Sequence, residues 1–159
     1  MVASPAVSFA MLRGLPPQQW VRIEVPRGSF VKRTPRGALD FVSPLPCPYN
    51  YGSVVGPDGS LDTAARGSDG DPLDALVLGP RLAAGHLVAT TVRAGFGFCD
   101  AGVEDPKLVC SDAPLSAAER AGVERFFALY AWLKRAVHRV RGEAGPTRAL
   151  GWLAYEPPA

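Results

Sequence analysis

The chain has 159 residues, enough for one domain with a proper core, and its 47% apolar and 20% charged content is that of an ordinary globular protein. Seventeen basic against fifteen acidic residues leave a net charge of +2, which argues against a nucleic-acid or membrane-surface partner. No apolar run approaches the roughly 18 residues of a membrane helix, and the start MVASPAVSFAMLRG lacks the basic and apolar regions of a signal peptide. Cys47, Cys99 and Cys110 are an odd count without C-x-x-C spacing, as expected of reduced thiols in a cytoplasmic protein.

In chain order, residues 1–18 read as a loose lead-in to a single domain spanning 1–159. The alternation in Trp20–Pro26 predicts a strand. Short strands are expected again at Ala38–Val42, Tyr51–Val55, Asp74–Leu78, Leu87–Ala94 and Lys107–Cys110. The polar stretch GPDGSLDTAARGSDG between Tyr51–Val55 and Asp74–Leu78 is a loop. So many short strands favour a small barrel over a βαβ sheet. One helix is expected: Ser116 and Glu119 form a capping box, and Val123, Phe126, Phe127, Tyr130, Leu133, Val137 and Val140 recur at helical spacing until Gly142. The tail Arg148–Tyr155 reads as a last strand or as an extended piece that packs Trp152 on this helix. Trp20, Trp132 and Trp152 are expected in the core or a subunit interface. The basic run Lys134–Arg141 is expected to be a solvated helix face. His86 falls in a turn, and His138 is expected to be solvated or to serve the helix dipole.

Two acidic clusters carry the chemistry. DGDPLD supplies Asp69, Asp71 and Asp74, and DAGVEDPK supplies Asp100 and Asp105 beside Lys107. Two carboxylates about 5 Å apart repel by roughly 3 kcal/mol at an effective dielectric of about 20. If the clusters share one pocket, protons or cations must offset that repulsion. Oxygen-only donors suit hard ions, so Mg²⁺ is favoured, with Mn²⁺ as a substitute, and Mg²⁺ completes its shell with waters and substrate phosphates. The implied chemistry is metal-assisted attack on a phosphoanhydride, because two cations on one water lower its pKa.

Ile23–Pro26, Lys32, Pro48–Gly52 (PYNYG), DGDPLD, Asp100–Asp105–Lys107 and FFALY ending at Tyr130 come in an order and spacing that resembles family I soluble inorganic pyrophosphatases, over roughly Val21 to Leu133. The resemblance implies an α+β, mainly β fold: a small five-stranded OB-like barrel flanked by helices, with one long C-terminal amphipathic helix. It implies Mg²⁺-dependent hydrolysis of pyrophosphate to two phosphates in a cytoplasmic homo-oligomer, commonly a hexamer. Asp69, Asp74, Asp100 and Asp105 match metal ligands, and Asp71 matches the general base. Lys32, Lys107, Tyr51 and Tyr130 match groups that neutralise or hydrogen-bond the phosphoryl oxygens, and Glu24 matches a supporting acid.

Three positions depart from the family pattern. A lysine usually follows the tyrosine of Tyr130, where this chain has Ala131; an arginine usually precedes PYNYG, where Val42–Ser43–Pro44 has none; a glutamate usually stands at Thr34. Arg33, Arg36, Lys134 and Arg135 are the candidates to replace the missing cations. A degenerate relative that binds metal and phosphate with low activity, or acts on another small phosphoanhydride, is the alternative these departures favour. An OB-like interaction module is the second alternative, and it would need a basic, aromatic face.

Overall fold

A computed structural model describes residues 12, 14–33, 38–42, 46–61 and 71–158 of the chain. Strand β1 (Gln18–Val25) pairs antiparallel with β4 (Asn50–Val55), and β4 with β5 (Asp74–Val77). β5 runs parallel to β8 (Lys107–Cys110), β8 pairs antiparallel with β6 (Leu87–Asp100), and β6 returns to β1. The wall therefore closes on five strands. Numbered along the chain these five follow the order 1-2-3-5-4 around the wall, the OB-like arrangement. Strands β7 (Val103–Glu104) and β9 (Arg148–Leu153) extend β6, while β2 (Val31–Arg33) and β3 (Leu39–Val42) form a separate hairpin.

β6 runs six residues beyond the expected Ala94, through GFGFCD. Its glycines are contact positions rather than breaks. A Cβ on Gly95 would lie 2.4 Å from Leu12 Cδ1, and one on Gly97 3.0 Å from Leu150 Cβ. Leu12 and Leu15, from the segment read as a lead-in, belong to the core on this side.

Period-2 alternation divides the buried residues. Ala75, Val77, Leu108 and Cys110 join Val21, Ile23, Val54 and Val92 on one side of the wall. Leu76, Val109, Tyr51, Phe96 and Phe98 face the other side, where the single long helix α1 (Ala117–Arg141) lays Val123, Phe127 and Ala131 against them. The Ser116–Glu119 capping box starts α1, and Gly142, at φ 70°, ends it. Phe127 stacks on Phe96 at 4.4 Å between ring centroids. Trp152 meets Phe96 edge-on at 5.3 Å and donates its indole N–H to Glu124 at 2.7 Å, so the tail does pack on the helix. Trp132 is 59% exposed and belongs to neither core cluster.

Asn50, fully buried, ties the loop after β1, the end of β5 and the loop after β5 to β4. Its side-chain oxygen accepts from the backbone N–H groups of Arg27 (3.1 Å) and Leu82 (2.9 Å), and its amide donates to the carbonyls of Val77 (3.2 Å) and Pro80 (2.8 Å).

Among the described residues all three cysteines are free. Burial pushes the Cys110 thiol up to about 12 and the Cys47 thiol up to about 11. Both should therefore resist iodoacetamide at about pH 8 in the native protein while the urea-unfolded chain is fully labelled, as peptide mapping would show. The folded state keeps protons that the unfolded chain releases above a pH of about 8.5. Stability should consequently fall as pH rises past that value and up through these raised pKa values, and Cys110→Ala should flatten the fall.

Candidate active site

The same alternation that faces Leu76 and Val109 toward α1 faces Asp74 and Lys107 that way. The two are register partners on the parallel pair β5–β8. Lys107, 1% exposed, donates to Asp74 Oδ2 at 2.5 Å and to Asp105 Oδ2 at 2.6 Å. One carboxylate from each acidic stretch, far apart in sequence, thus meets the other on one ammonium. Burial opposes the charge on both partners. It would lower Lys107, but Asp74 and Asp105 hold its pKa well above the ordinary lysine value. It would raise Asp74, but Lys107 and then Lys32 hold that carboxyl below the usual range.

Tyr51 reaches this cluster from β4. Lys32 and Lys107 each set an ammonium over its ring, at 5.5 and 5.7 Å from the centroid. Its ring is buried, and its hydroxyl has no hydrogen-bond partner among the described residues. Burial, and then the charge of Asp74, push this phenol well above its ordinary pKa, so it stays a donor. The hydroxyl interacts with the Asp74 carboxylate. A buried O–H amid two lysines and two carboxylates suits an oxygen-bearing ligand.

Glu24 is the unmatched residue of a register shift in β1 between Ile23 and Val25. Such bulges re-aim side chains. Its buried carboxylate accepts from Ser53 Oγ at 2.6 Å. Opposite the shift, Gly52 admits no side chain, since a Cβ would lie 2.0 Å from the Arg22 carbonyl oxygen.

Helix α1 contributes Tyr130, whose ring lies 5.3 Å from Phe98, with the Lys134 ammonium 5.7 Å above it. Ala131, the residue at the family's lysine position, is only 2% exposed and packs in the core. One turn on, Lys134 donates to Asp100 Oδ2 at 3.1 Å, and His138 Nε2 lies 2.5 Å from Asp100 Oδ1. Burial would raise the Asp100 carboxyl, but the His138 hydrogen bond and the Lys134 charge hold it below the usual range. Lys134 is itself held above the ordinary lysine value: burial would lower it, and Tyr130 and Asp100 override that.

His138 is therefore buried and paired rather than solvated. The buried stripe of α1 continues past Ala131 and turns polar where β6 ends at Asp100. No signal in the sequence links two residues 38 positions apart. Arg135 is exposed and donates to the Thr147 carbonyl at 3.1 Å, so it serves the loop after α1. Asp71 is exposed just ahead of β5. Asp69, Thr34, Arg36 and Ser43, with the side chains of Arg33 and Val42, lie outside what the structure describes.

The profile of the inorganic pyrophosphatase family matches residues 21–151. The chain belongs to this family. Solved family structures are similar throughout. The chain is 26% identical to the inorganic pyrophosphatase of Thermus thermophilus, with 89% of this chain and 88% of that one covered and a TM-score of 0.63. For that of Neisseria gonorrhoeae the values are 25%, 86%, 82% and 0.63. The Coxiella burnetii pyrophosphatase, at 24% identity, shares the fold over 88% of both chains with a TM-score of 0.65. No curated protein sequence matches the chain. No helix among the described residues is long and apolar enough to cross a membrane.

The family implies divalent cations, and the donors fit them unevenly. Asp74 and Asp105 fit: both are oxygen donors, and they already converge on one cationic centre, the Lys107 ammonium. Asp100 fits less well, because Lys134 and His138 engage both of its oxygens, whereas Lys107 engages only Oδ2 of Asp74 and of Asp105 in the contacts described. Among the described residues no three His, Cys, Asp or Glu side chains converge on one point.

Proposed function

We propose that this chain is a low-turnover member of the family, binding pyrophosphate or a closely related small phosphoanhydride together with Mg²⁺ and hydrolysing it slowly. The observation that carries this reading is the buried Tyr51 beside Lys32, Lys107, Asp74 and Asp105, a constellation suited to phosphoryl oxygens. Bound Mg²⁺, or Mn²⁺ in its place, supplies charge neutralisation for those oxygens and acidifies water. Lys32 and Lys107 then neutralise the transferred and departing phosphates, and Tyr51 and Tyr130 donate hydrogen bonds to them. Asp71 takes the proton as water oxygen bonds to phosphorus and the P–O–P bridge breaks, releasing two phosphates. Asp69, Asp74 and Asp105 would hold the cation, and Glu24 and Ser53 support the wall.

Slowness follows from the cations. Ala131 supports the core where relatives carry lysine, and Lys134 already serves Asp100. A missing charge-assisted bond is worth about 1.5–3 kcal/mol, roughly tenfold to a hundredfold in rate. Free cysteines support a reducing, cytoplasmic setting. The exposed Leu129, Trp132 and Val140 on α1 support assembly with copies of the same chain.

Phosphate release from pyrophosphate with Mg²⁺ tests the proposal. Turnover should be measurable, below the usual range of about 1–10³ s⁻¹, and at least about a hundredfold lower in Asp71→Asn. Turnover inside that range would make the chain a full pyrophosphatase. Absence of both turnover and Mg²⁺ binding by calorimetry would leave only the interaction-module reading.

A further inference from the structure

The end of β6 differs in kind from the Lys107 cluster. Asp100 opens a tight turn in which Ala101 (φ 50°) and Gly102 (φ 85°) both take left-handed backbone, and contacts tie that turn to the last turns of α1 and to the loop that follows it. Ala101 N–H donates to Thr147 Oγ1 at 2.9 Å, and Gly102 N–H to the Pro146 carbonyl at 2.8 Å. Arg135 holds the Thr147 carbonyl. Lys134 and His138 take one oxygen each of Asp100, and the other ring nitrogen of His138 faces the Glu143 carboxylate. The Glu143 N–H in turn donates to the His138 carbonyl at 3.0 Å, just beyond the Gly142 cap. Asp100 is thus the centre of a polar clasp joining the β6–β7 turn, the last turns of α1 and the loop 143–147. Each oxygen of Asp100 thus already has a hydrogen-donating partner within the clasp.

We propose that Asp100 in this chain is a structural clasp and not a metal ligand, so that divalent cations are held from the Asp74–Asp105 side alone. The inference rests on the functional reading above in one respect, that the site binds such cations at all. A ligand and a clasp respond oppositely to the isosteric change Asp100→Asn. Removing a ligand from a crowded acidic site relieves repulsion in metal-free buffer and weakens metal binding; removing a clasp lowers stability and leaves metal binding alone.

The experiment measures thermal unfolding in metal-free buffer and Mn²⁺ binding by calorimetry for the wild type, Asp100→Asn, Lys134→Met, their double variant and Asp105→Asn. The clasp predicts a midpoint about 5 °C lower for Asp100→Asn. It also predicts a double-variant loss smaller than the sum of the singles. Mn²⁺ affinity in Asp100→Asn should stay within about threefold, with the same number of ions bound, while Asp105→Asn loses about tenfold or more. An unchanged or raised midpoint, additive losses, a larger drop in affinity or the loss of one ion in Asp100→Asn would overturn the clasp. A wild type that binds no Mn²⁺ defeats the functional reading instead, and the thermal cycle alone then decides the clasp.

Discussion

Lys107→Met should lower stability by about 3 kcal/mol and give back part of that loss when Mg²⁺ is added. The ammonium is wholly buried between two carboxylates, and removing one partner of a buried ion pair typically costs about 3–5 kcal/mol because the other charge stays behind. The low end applies here, since Asp74 and Asp105 keep 21% and 25% of their side chains accessible and water can partly take the lysine's place. For a chain of this size the loss corresponds to a thermal midpoint about 6–12 °C lower. Methionine preserves most of the volume, so the effect reads charge rather than a cavity. With the ammonium gone, a divalent ion has the position to itself, and ligand linkage should stabilise the variant more than the wild type at equal Mg²⁺. Phosphate release should nonetheless fall, because the lysine also serves phosphoryl oxygens. Thermal unfolding with and without Mg²⁺ checks this. A variant as stable as the wild type, or one indifferent to Mg²⁺, would show that Asp74 and Asp105 do not form a cation position.

Asn50→Ala should cost about 4 kcal/mol, read as the loss of folding free energy in urea. The substitution strands two N–H groups and two carbonyls at once, and each buried unpaired polar group costs about 1–3 kcal/mol before neighbours relax. Asn50→Asp should fare no better. It keeps acceptors for Arg27 and Leu82 but presents a carboxylate to the carbonyls of Val77 and Pro80. Activity should fall only in step with the folded fraction, because Asn50 touches the β4 loops and not the Lys107 cluster. A loss under about 1 kcal/mol would mean that the bracket is dispensable.

Both residues lie in stretches that the sequence marks out, yet their jobs were legible to different degrees. The meeting of Asp74 and Asp105 on Lys107 is legible only through the family resemblance of their spacing, and the helix because its capping box and 3.6-residue spacing agree. The short strand Lys107–Cys110 also stood out between its turn residues. β6 extends past the expected Ala94 because Gly95 and Gly97 give room for Leu12 and Leu150, neighbours that local pattern does not reveal. Asn50 reads as a turn residue before a strand, since all four of its partners are backbone groups that carry no side-chain signature. His138 reads as a solvated basic residue because its partner, Asp100, sits on another element. Local physics shows in local pattern; pairings made only by closing the barrel do not.

The register Asp74↔Lys107 on β5–β8 has a consequence for folding itself. Shifting one strand by a single residue would set Leu108 opposite Asp74 and turn the ammonium toward the hydrophobic side of the wall. Three charges would then be stranded in place of one neutralised cluster. The groups that serve chemistry therefore also act as a proofreader of strand alignment, rejecting the misthreaded barrel before any substrate is met.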